Sequence, residues 1–459
     1  MLAFFKKIFS AIIAFIVSVS TYPISFLPFE NDTDFSVEAE SAVYEQYEDD
    51  NAVVFDVSKK TEWFNYYGLK YTSDTYINGV ITYGNGFGKE ISEEFFLEPA
   101  ENGEFYSFID GCLDRTKARN IISIKVTSKQ KADFSFNLLG VSVFNREIPD
   151  EEIFLSNEQY KIGVDLHWGG ALTYMEDLNS DVEAVKKDGR IYVDSNASDR
   201  YGKRAVNKHV NLINRHDAGR LVQQSYYGVV DCPDYENGFF STSDKWPYNP
   251  VQGGNKYAGC SKIVDLRLTD TSIYIKCRPM DWAKDDDAIT PSYMEATFEF
   301  VGNTLHTSCR FTDFSGYPSN RRNQELPAFY CVEPLNNFVY YGGNAPWTGD
   351  ELSFEPDLPF WAGPNKKNFT ATENWAAFIG EFEDSFGIGL YSPERNKFVP
   401  GVYERGNTTE KDPSIADPTS YFAVVDAYNF ESFKTFEYDY YLTTGDTAEI
   451  RENFREIAE

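Results

Sequence analysis

The sequence predicts an all-β fold, with two β-rich units in series and one short helix at the C-terminal end. Three observations predict it. Short runs rich in Val, Ile, Thr, Tyr and Phe recur along the chain, punctuated by Gly, Pro, Asn and Asp. Phe, Tyr and Trp make up 17% of the 459 residues, while Met occurs only 4 times. Between Gln159 and Gly445 no stretch of any size shows helical periodicity.

The elements follow in order. Lys6 and Lys7 precede an uncharged apolar run from Ile8 to Val19, and Ser18 and Ser20 supply small residues for a signal peptidase. Residues 1–20 therefore read as a secretory signal peptide. The run is shorter than the roughly 20 apolar residues of a spanning helix, so cleavage is expected and the mature chain has no membrane span. Its expected location is extracellular. Residues 21–50 are acidic with little to bury and read as a flexible leader. Residues 51–150 hold the strand runs Val53–Val57, Tyr76–Tyr83, Ile121–Val126 and Phe134–Leu139, the build of a jelly-roll-like sandwich serving as an accessory or binding domain. Pro149-Asp150-Glu151-Glu152 marks the hand-over to a second unit, residues 151–459. Near its end Asp446 caps a segment in which Glu449 is the reciprocal capping residue and Ile450, Phe454 and Ile457 share one face.

Charge and cysteine usage narrow the partners. With 72 acidic against 42 basic residues, the net charge of −30 repels nucleic acid and disfavours long polyanionic glycans. Six cysteines without a Cys-x-x-Cys pair, five of them between Cys232 and Cys331, suggest one or two disulfides in the second unit. Four histidines offer little to a zinc ion, and no calcium loop is present, so neither metal nor cofactor is expected. Oligomeric state is not predicted.

The segment Asn211–Gly254 concentrates amides, guanidiniums and aromatic rings. Arg220, Gln223, Gln224, Tyr227, Trp246, Asn249 and Gln252 are the side chains that grip adjacent hydroxyls and cover the C–H face of a pyranose. Gln324, Trp347 and Trp375 extend the set, Trp347 because its loop contains Pro and Gly. A carbohydrate substrate is the expected partner.

Asp165-Leu166-His167-Trp168-Gly169-Gly170-Ala171-Leu172-Thr173-Tyr174 resembles the opening phrase of galactose mutarotase-like domains, and Asn211-Leu212-Ile213-Asn214 resembles the phrase that closes their first hairpin. His216–Gly254, Arg322–Ala328 and Thr372–Ala377 are similar to a group of large secreted bacterial proteins found with polysaccharide-degrading systems. The resemblance covers roughly residues 160–450. It implies a large antiparallel β-supersandwich whose concave face holds a sugar, and it implies no mechanism.

Chemistry is expected at Asp217 and Glu325, with His216 orienting one of them or the substrate. A glycosidase needs a proton donor and a second carboxylate across the scissile bond. Each has a plainer alternative: Asp217 capping a turn, His216 meeting a buried carbonyl, Glu325 paired with Arg321 or Arg322. Hydrolysis of a neutral polysaccharide or oligosaccharide is the leading expectation. A lyase with a His or Tyr base, an epimerase and a non-catalytic glycan-binding protein are the rivals.

Overall fold

Alternation of inward and outward positions builds the strands. In Ser272–Arg278, Ile273, Ile275 and Cys277 are buried while Tyr274 and Lys276 point the other way, the two-residue period of extended backbone. The computed structural model describes residues 30–35, 42–46, 51–85, 88–111, 116–179, 183–187, 190–194, 207–208, 210–228, 235–285, 288–360, 367–381, 385–403 and 409–459. The expected signal peptide lies outside the described residues.

The N-terminal unit is a sandwich. One sheet runs Ala42–Gln46, Asn51–Phe64, Ala118–Thr127, Ile77–Gly84, Glu90–Leu97 in spatial order, and the other Glu30–Phe35, Phe136–Asn145, Tyr66–Ser73, Ala100–Phe108. Phe55, Tyr67, Ile81, Tyr83, Phe95 and Ile124 belong to its core. The first strand of each sheet comes from residues 21–50, where a flexible leader was expected. An open sheet edge presents unmatched backbone N–H and C=O groups, and these two strands pair with them.

Among the described residues the second unit has a front sheet of ten strands and a back sheet of nine. The front sheet runs Glu152–Ser156, Tyr160–Asp165, Ala171–Asp177, Val222–Ser225, Arg321–Val332, Thr419–Asn429, Lys397–Tyr403, Phe369–Thr370, with Pro250–Val251 and Met280–Asp281 joined beside Val222–Ser225. The back sheet runs Lys262–Leu268, Ser272–Arg278, Ser292–Val301, Thr304–Asp313, Thr435–Gly445, Gly387–Tyr391, Trp375–Ile379, Asn337–Tyr340, Ser353–Glu355. Ile162, Leu172, Phe329 and Phe422 from the front meet Ile275, Phe298, Leu390 and Leu442 from the back in one core. Cys277, Cys309 and Cys331 are free thiols in that core, against the expectation of disulfides there. Each serves as a small apolar side chain, and burial pushes all three thiols up. Cys112 and Cys232 lie outside the described residues.

Two elements cover the outer face of the back sheet. At one end sits the helix Thr447–Ala458, whose capping box forms as expected between Asp446 and Glu449. Its Ile450 and Phe454 pack in a cluster with Trp375 and Tyr391, burial that contributes about 1.5–3 kcal/mol per side chain. Gly389 makes the approach possible, since a Cβ there would lie 2.7 Å from Ile450 Cγ2. At the other end sits the N-terminal unit. Tyr66 donates to Asp265 (2.5 Å), the Phe96 amide donates to Tyr293 Oη (2.9 Å), and Arg310 reaches across to Glu98 (2.6 Å). A polar cavity of about 210 Å³ among Glu98, Tyr106, Lys276, Glu295 and Arg310 has room for several waters. Glu295 is the centre of this interface. It accepts from Tyr274 (2.7 Å) and Arg310 (2.8 Å) and lies 3.3 Å from Lys276 Nζ. Burial alone would raise its carboxyl, but Lys276 and Arg310 outweigh that and bring it down to about 2.

Candidate functional site

A β-bulge on the front sheet sets the site. Along Thr419–Asn429, Phe422 and Val424 enter the inter-sheet core, while Tyr421, Ala423 and Val425 form a separate cluster with Ala328 and Tyr330 on the outer face. Tyr330 pairs opposite Tyr421, Ala328 opposite Ala423 and Glu325 opposite Val425. Between Glu325 and Ala328 the strand therefore carries one residue more than its partner. Without that extra residue, alternation would aim Glu325 at the core, where an ionised carboxylate costs several kcal/mol. With it, Glu325 shares the outer face with Ala328 and Tyr330. Pro327 lies within the bulge, where its missing N–H costs no ladder bond.

Phenols surround the carboxylate. Glu325 Oε1 accepts from Tyr421 Oη at 2.6 Å, and Tyr227 Oη lies 3.5 Å away. The Tyr330 and Tyr421 rings are 4.6 Å apart. All three hydroxyls are driven well above the usual phenol range, first by burial and then by the negative charge of Glu325. They are therefore held as donors and are unsuited to act as bases. The charges of Asp217 and Arg220 also act on Tyr330, which links the Glu325 group to a second, ionic group beside it.

That ionic group joins two loops. Arg220, 4% exposed, donates to Asp417 Oδ1 (2.7 Å) and to the Ala416 carbonyl (3.2 Å), and its guanidinium lies 5.4 Å from the Tyr403 ring centre. Asp217 Oδ1 accepts from the Gly219 amide (2.9 Å), and Oδ2 lies 3.5 Å from Arg220 Nε. His216 Nδ1 is 2.9 Å from the Ile415 carbonyl, with Nε2 3.8 Å from Asp417. Asp217 thus caps a turn and His216 meets a carbonyl, the plainer of the two alternatives for each, although both sit at the edge of the site. For Glu325 the partners are Tyr421 and Tyr227.

Most of the amides expected to grip a ligand are spent within the protein. Gln223 donates to the Ala218 carbonyl and accepts from Gly253 N–H (2.7 Å). Gln224 donates to the Glu295 carbonyl and accepts from Tyr226, and Gln252 accepts from the Gln224 amide and donates to the Gly169 carbonyl. Asn249 donates to the Tyr226 carbonyl, and Gln324 brackets Tyr227 by accepting from its N–H and donating to its C=O. All five are buried. A segment with little regular pairing must satisfy its backbone groups through side chains, and these residues do so. Gly169, at φ +60° in the Gly-Gly turn, takes part, since a Cβ there would meet the Gln252 carbonyl oxygen at 2.1 Å.

The three tryptophans part company. Trp246 is half-buried beside the site, donating to Asn249 (2.9 Å) and meeting the Tyr227 ring at 6.3 Å. Trp375 is on the back sheet and Trp347 in a turn beside it, both at the cluster under the C-terminal helix. Trp375 is 0% exposed and donates to Glu373, so it packs and has no face left for a sugar. Four residues of the site were not anticipated: Tyr330, Tyr403, Asp417 and Tyr421. One signal was available. Strands 321–332 and 419–429 carry apolar or aromatic residues on both faces, the mark of a sheet whose outer face is also occupied. Among the described residues no three His, Cys, Asp or Glu side chains are grouped as a metal ion would require.

No protein-family model matches the chain, and no curated protein matches it. Solved structures do. A galactose mutarotase-like protein from Lactobacillus casei is similar at 11% identity and TM-score 0.33, over 64% of this chain and 99% of that one. Galactose 1-epimerase from Lactobacillus acidophilus gives 9% and 0.34, over 66% and 97%. A GH36 alpha-galactosidase from Geobacillus stearothermophilus gives 9% and 0.32, over 66% of this chain and 41% of that one.

Proposed function

We propose that the outer face of the front sheet binds a neutral glycan and that the protein, exported from its cell, hydrolyses a glycosidic bond there. One observation carries this reading: the bulge turns Glu325 onto an aromatic face, where Tyr421 donates to it at 2.6 Å. A carboxyl group so placed can give a proton to a leaving glycosidic oxygen or take one from water. The half-buried rings of Tyr330 and Tyr403 offer surfaces for a pyranose. Asp217 is the second carboxylate, its side chain 49% exposed and its charge acting, with that of Glu325, on Tyr330. Two carboxyl groups about 5–9.5 Å apart across the bond are what hydrolysis requires.

Elimination from a uronate has one observation in its favour, the grouping of His216, Arg220 and Tyr330. Against it, Tyr330 is held protonated and Arg220 is committed to Asp417 and a carbonyl. One experiment separates these readings. The protein is incubated with soluble neutral glucans, galactans, mannans and xylans and with pectate and alginate, recording reducing ends and the ultraviolet absorbance of unsaturated uronates. Reducing ends without absorbance support hydrolysis, and absorbance supports the lyase. Binding without either leaves a glycan-binding protein.

A further inference from the structure

The site continues outward into a row of exposed aromatic rings. The hairpin Gly238–Phe239 and Lys245–Trp246 stands beside Tyr227. Tyr227 Oη is 3.5 Å from Glu325, its ring meets Trp246 edge-on at 6.3 Å, and Trp246 stacks on Phe240 at 5.1 Å with 30° between planes. The rings thus lead step by step from the carboxylate to solvent. At the outer end Phe239 is 49% exposed, Phe240 53% and Tyr257 53%.

These aromatics are held out, not left out. The Phe240 amide donates to the Asp244 carbonyl (3.0 Å), and Ser241 Oγ donates to Asp244 Oδ2 (2.6 Å), which closes the tip of the hairpin. The base is fixed by the Phe239 amide on the Ala283 carbonyl (3.3 Å) and by Trp246 on Asn249 (2.9 Å). Lys256 donates to the Phe239 carbonyl, and its ammonium lies 5.4 Å from the Phe240 ring centre and 4.9 Å from that of Tyr257. A contiguous apolar patch kept in water by so many polar ties is the mark of an interaction surface. Its position suits one occupant: the patch is continuous, ring to ring, with the carboxylate that would act on a sugar chain, and exposed aromatic faces are what the C–H faces of further sugar units pack on.

Resting on the reading of the Glu325 face as a glycan site, we propose that Phe240, Tyr257 and Trp246 form an outlying platform for further sugar units of a chain whose reacting unit lies at Glu325. The substrate is then a chain of several neutral sugars and not a free monosaccharide. Phe240 and Tyr257 are more than half exposed, so alanine at either position leaves the fold intact.

The test is affinity electrophoresis and calorimetry of the full chain, wild type against Phe240→Ala and Tyr257→Ala. The probes are soluble neutral glucans, galactans, mannans and xylans, with their monosaccharides, disaccharides and hexasaccharides. The expected result is wild-type affinity that rises with chain length. Each variant should lose about tenfold on the hexasaccharide, the worth of one aromatic contact, and nothing on the disaccharide. Variants that bind the hexasaccharide as wild type does would overturn the platform and leave the Glu325 site standing. So would a wild type that holds the monosaccharide as tightly as the chain. A wild type that binds no probe overturns both proposals. A dimer in solution that Phe240→Ala dissociates, with glycan affinity unchanged, assigns the patch to a second copy and likewise overturns the platform.

Discussion

Glu295 and Glu325 lie on the outer faces of the two sheets of one sandwich, and each accepts a hydrogen bond from a tyrosine, Tyr274 at 2.7 Å and Tyr421 at 2.6 Å. Their surroundings then diverge. Glu295 is flanked by Lys276 and Arg310 beneath the N-terminal unit, and its carboxyl is drawn down to about 2. Glu325 is ringed by Tyr227, Tyr330 and Tyr421, whose hydroxyls are driven up. A carboxylate neutralised by two cations is a fixed ion, suited to clamping one unit onto another. A carboxylate oriented by a phenol donor on an aromatic outer face is placed for proton transfer to a bound ligand. On the function proposed above, the same residue type serves assembly on one face and chemistry on the other.

The largest effect is expected at the clamp. Glu295→Gln takes the carboxylate from Lys276 in a mostly buried place, while Arg310 keeps Glu98 and Glu437, and should cost about 3 kcal/mol in urea unfolding. The pH dependence gives its sign. The folded carboxyl sits at about 2, below its ordinary 4.5, so its contribution is fully present above pH 4.5 and is lost as pH falls from there towards 2. The gap between wild type and variant should close over that window, and a gap that acid leaves unchanged would contradict the clamp.

A smaller loss is expected where the two loops of the site are joined. Arg220→Met removes a buried guanidinium and its bond to the Asp417 carbonyl, while the Ala416 carbonyl keeps Asn214 and the Asp417 side chain, 58% exposed, regains water. About 2 kcal/mol of stability should go, with Glu325 chemistry weakened but not abolished. Retention of full stability would show that the loops are held by other contacts. Smaller still, Tyr421→Phe keeps the ring and removes one donor to Glu325. Turnover should fall about tenfold with the unfolding free energy little changed, and an unaltered rate would remove this hydroxyl from the chemistry.

The fold was far more legible than the site. Two-residue alternation and turn spacing predict the strands, and the Asp446/Glu449 pair marks the only long helix among the described residues in the register that forms. Local pattern suffices for these. The amides Gln223, Gln224, Asn249, Gln252 and Gln324 look the same in sequence whether they face a ligand or brace a loop, and only the pairing of their neighbours decides. Trp375 read as a platform and is core, because its neighbours in space come from the C-terminal helix, distant in sequence. Glu325 was singled out for its polar neighbours, yet what aims it is a bulge that shows only once strand 419–429 is laid beside it.

The central claim is that Glu325 is the proton-transfer group of a glycan site, and Glu325→Gln tests it most directly. The amide keeps the shape and can still accept from Tyr421. On whichever neutral glycan the wild type cleaves, the variant should bind with unchanged affinity and lose 10²-fold or more in reducing-end release, roughly what a general acid or base contributes. Cleavage by Glu325→Gln at the wild-type rate would contradict the account.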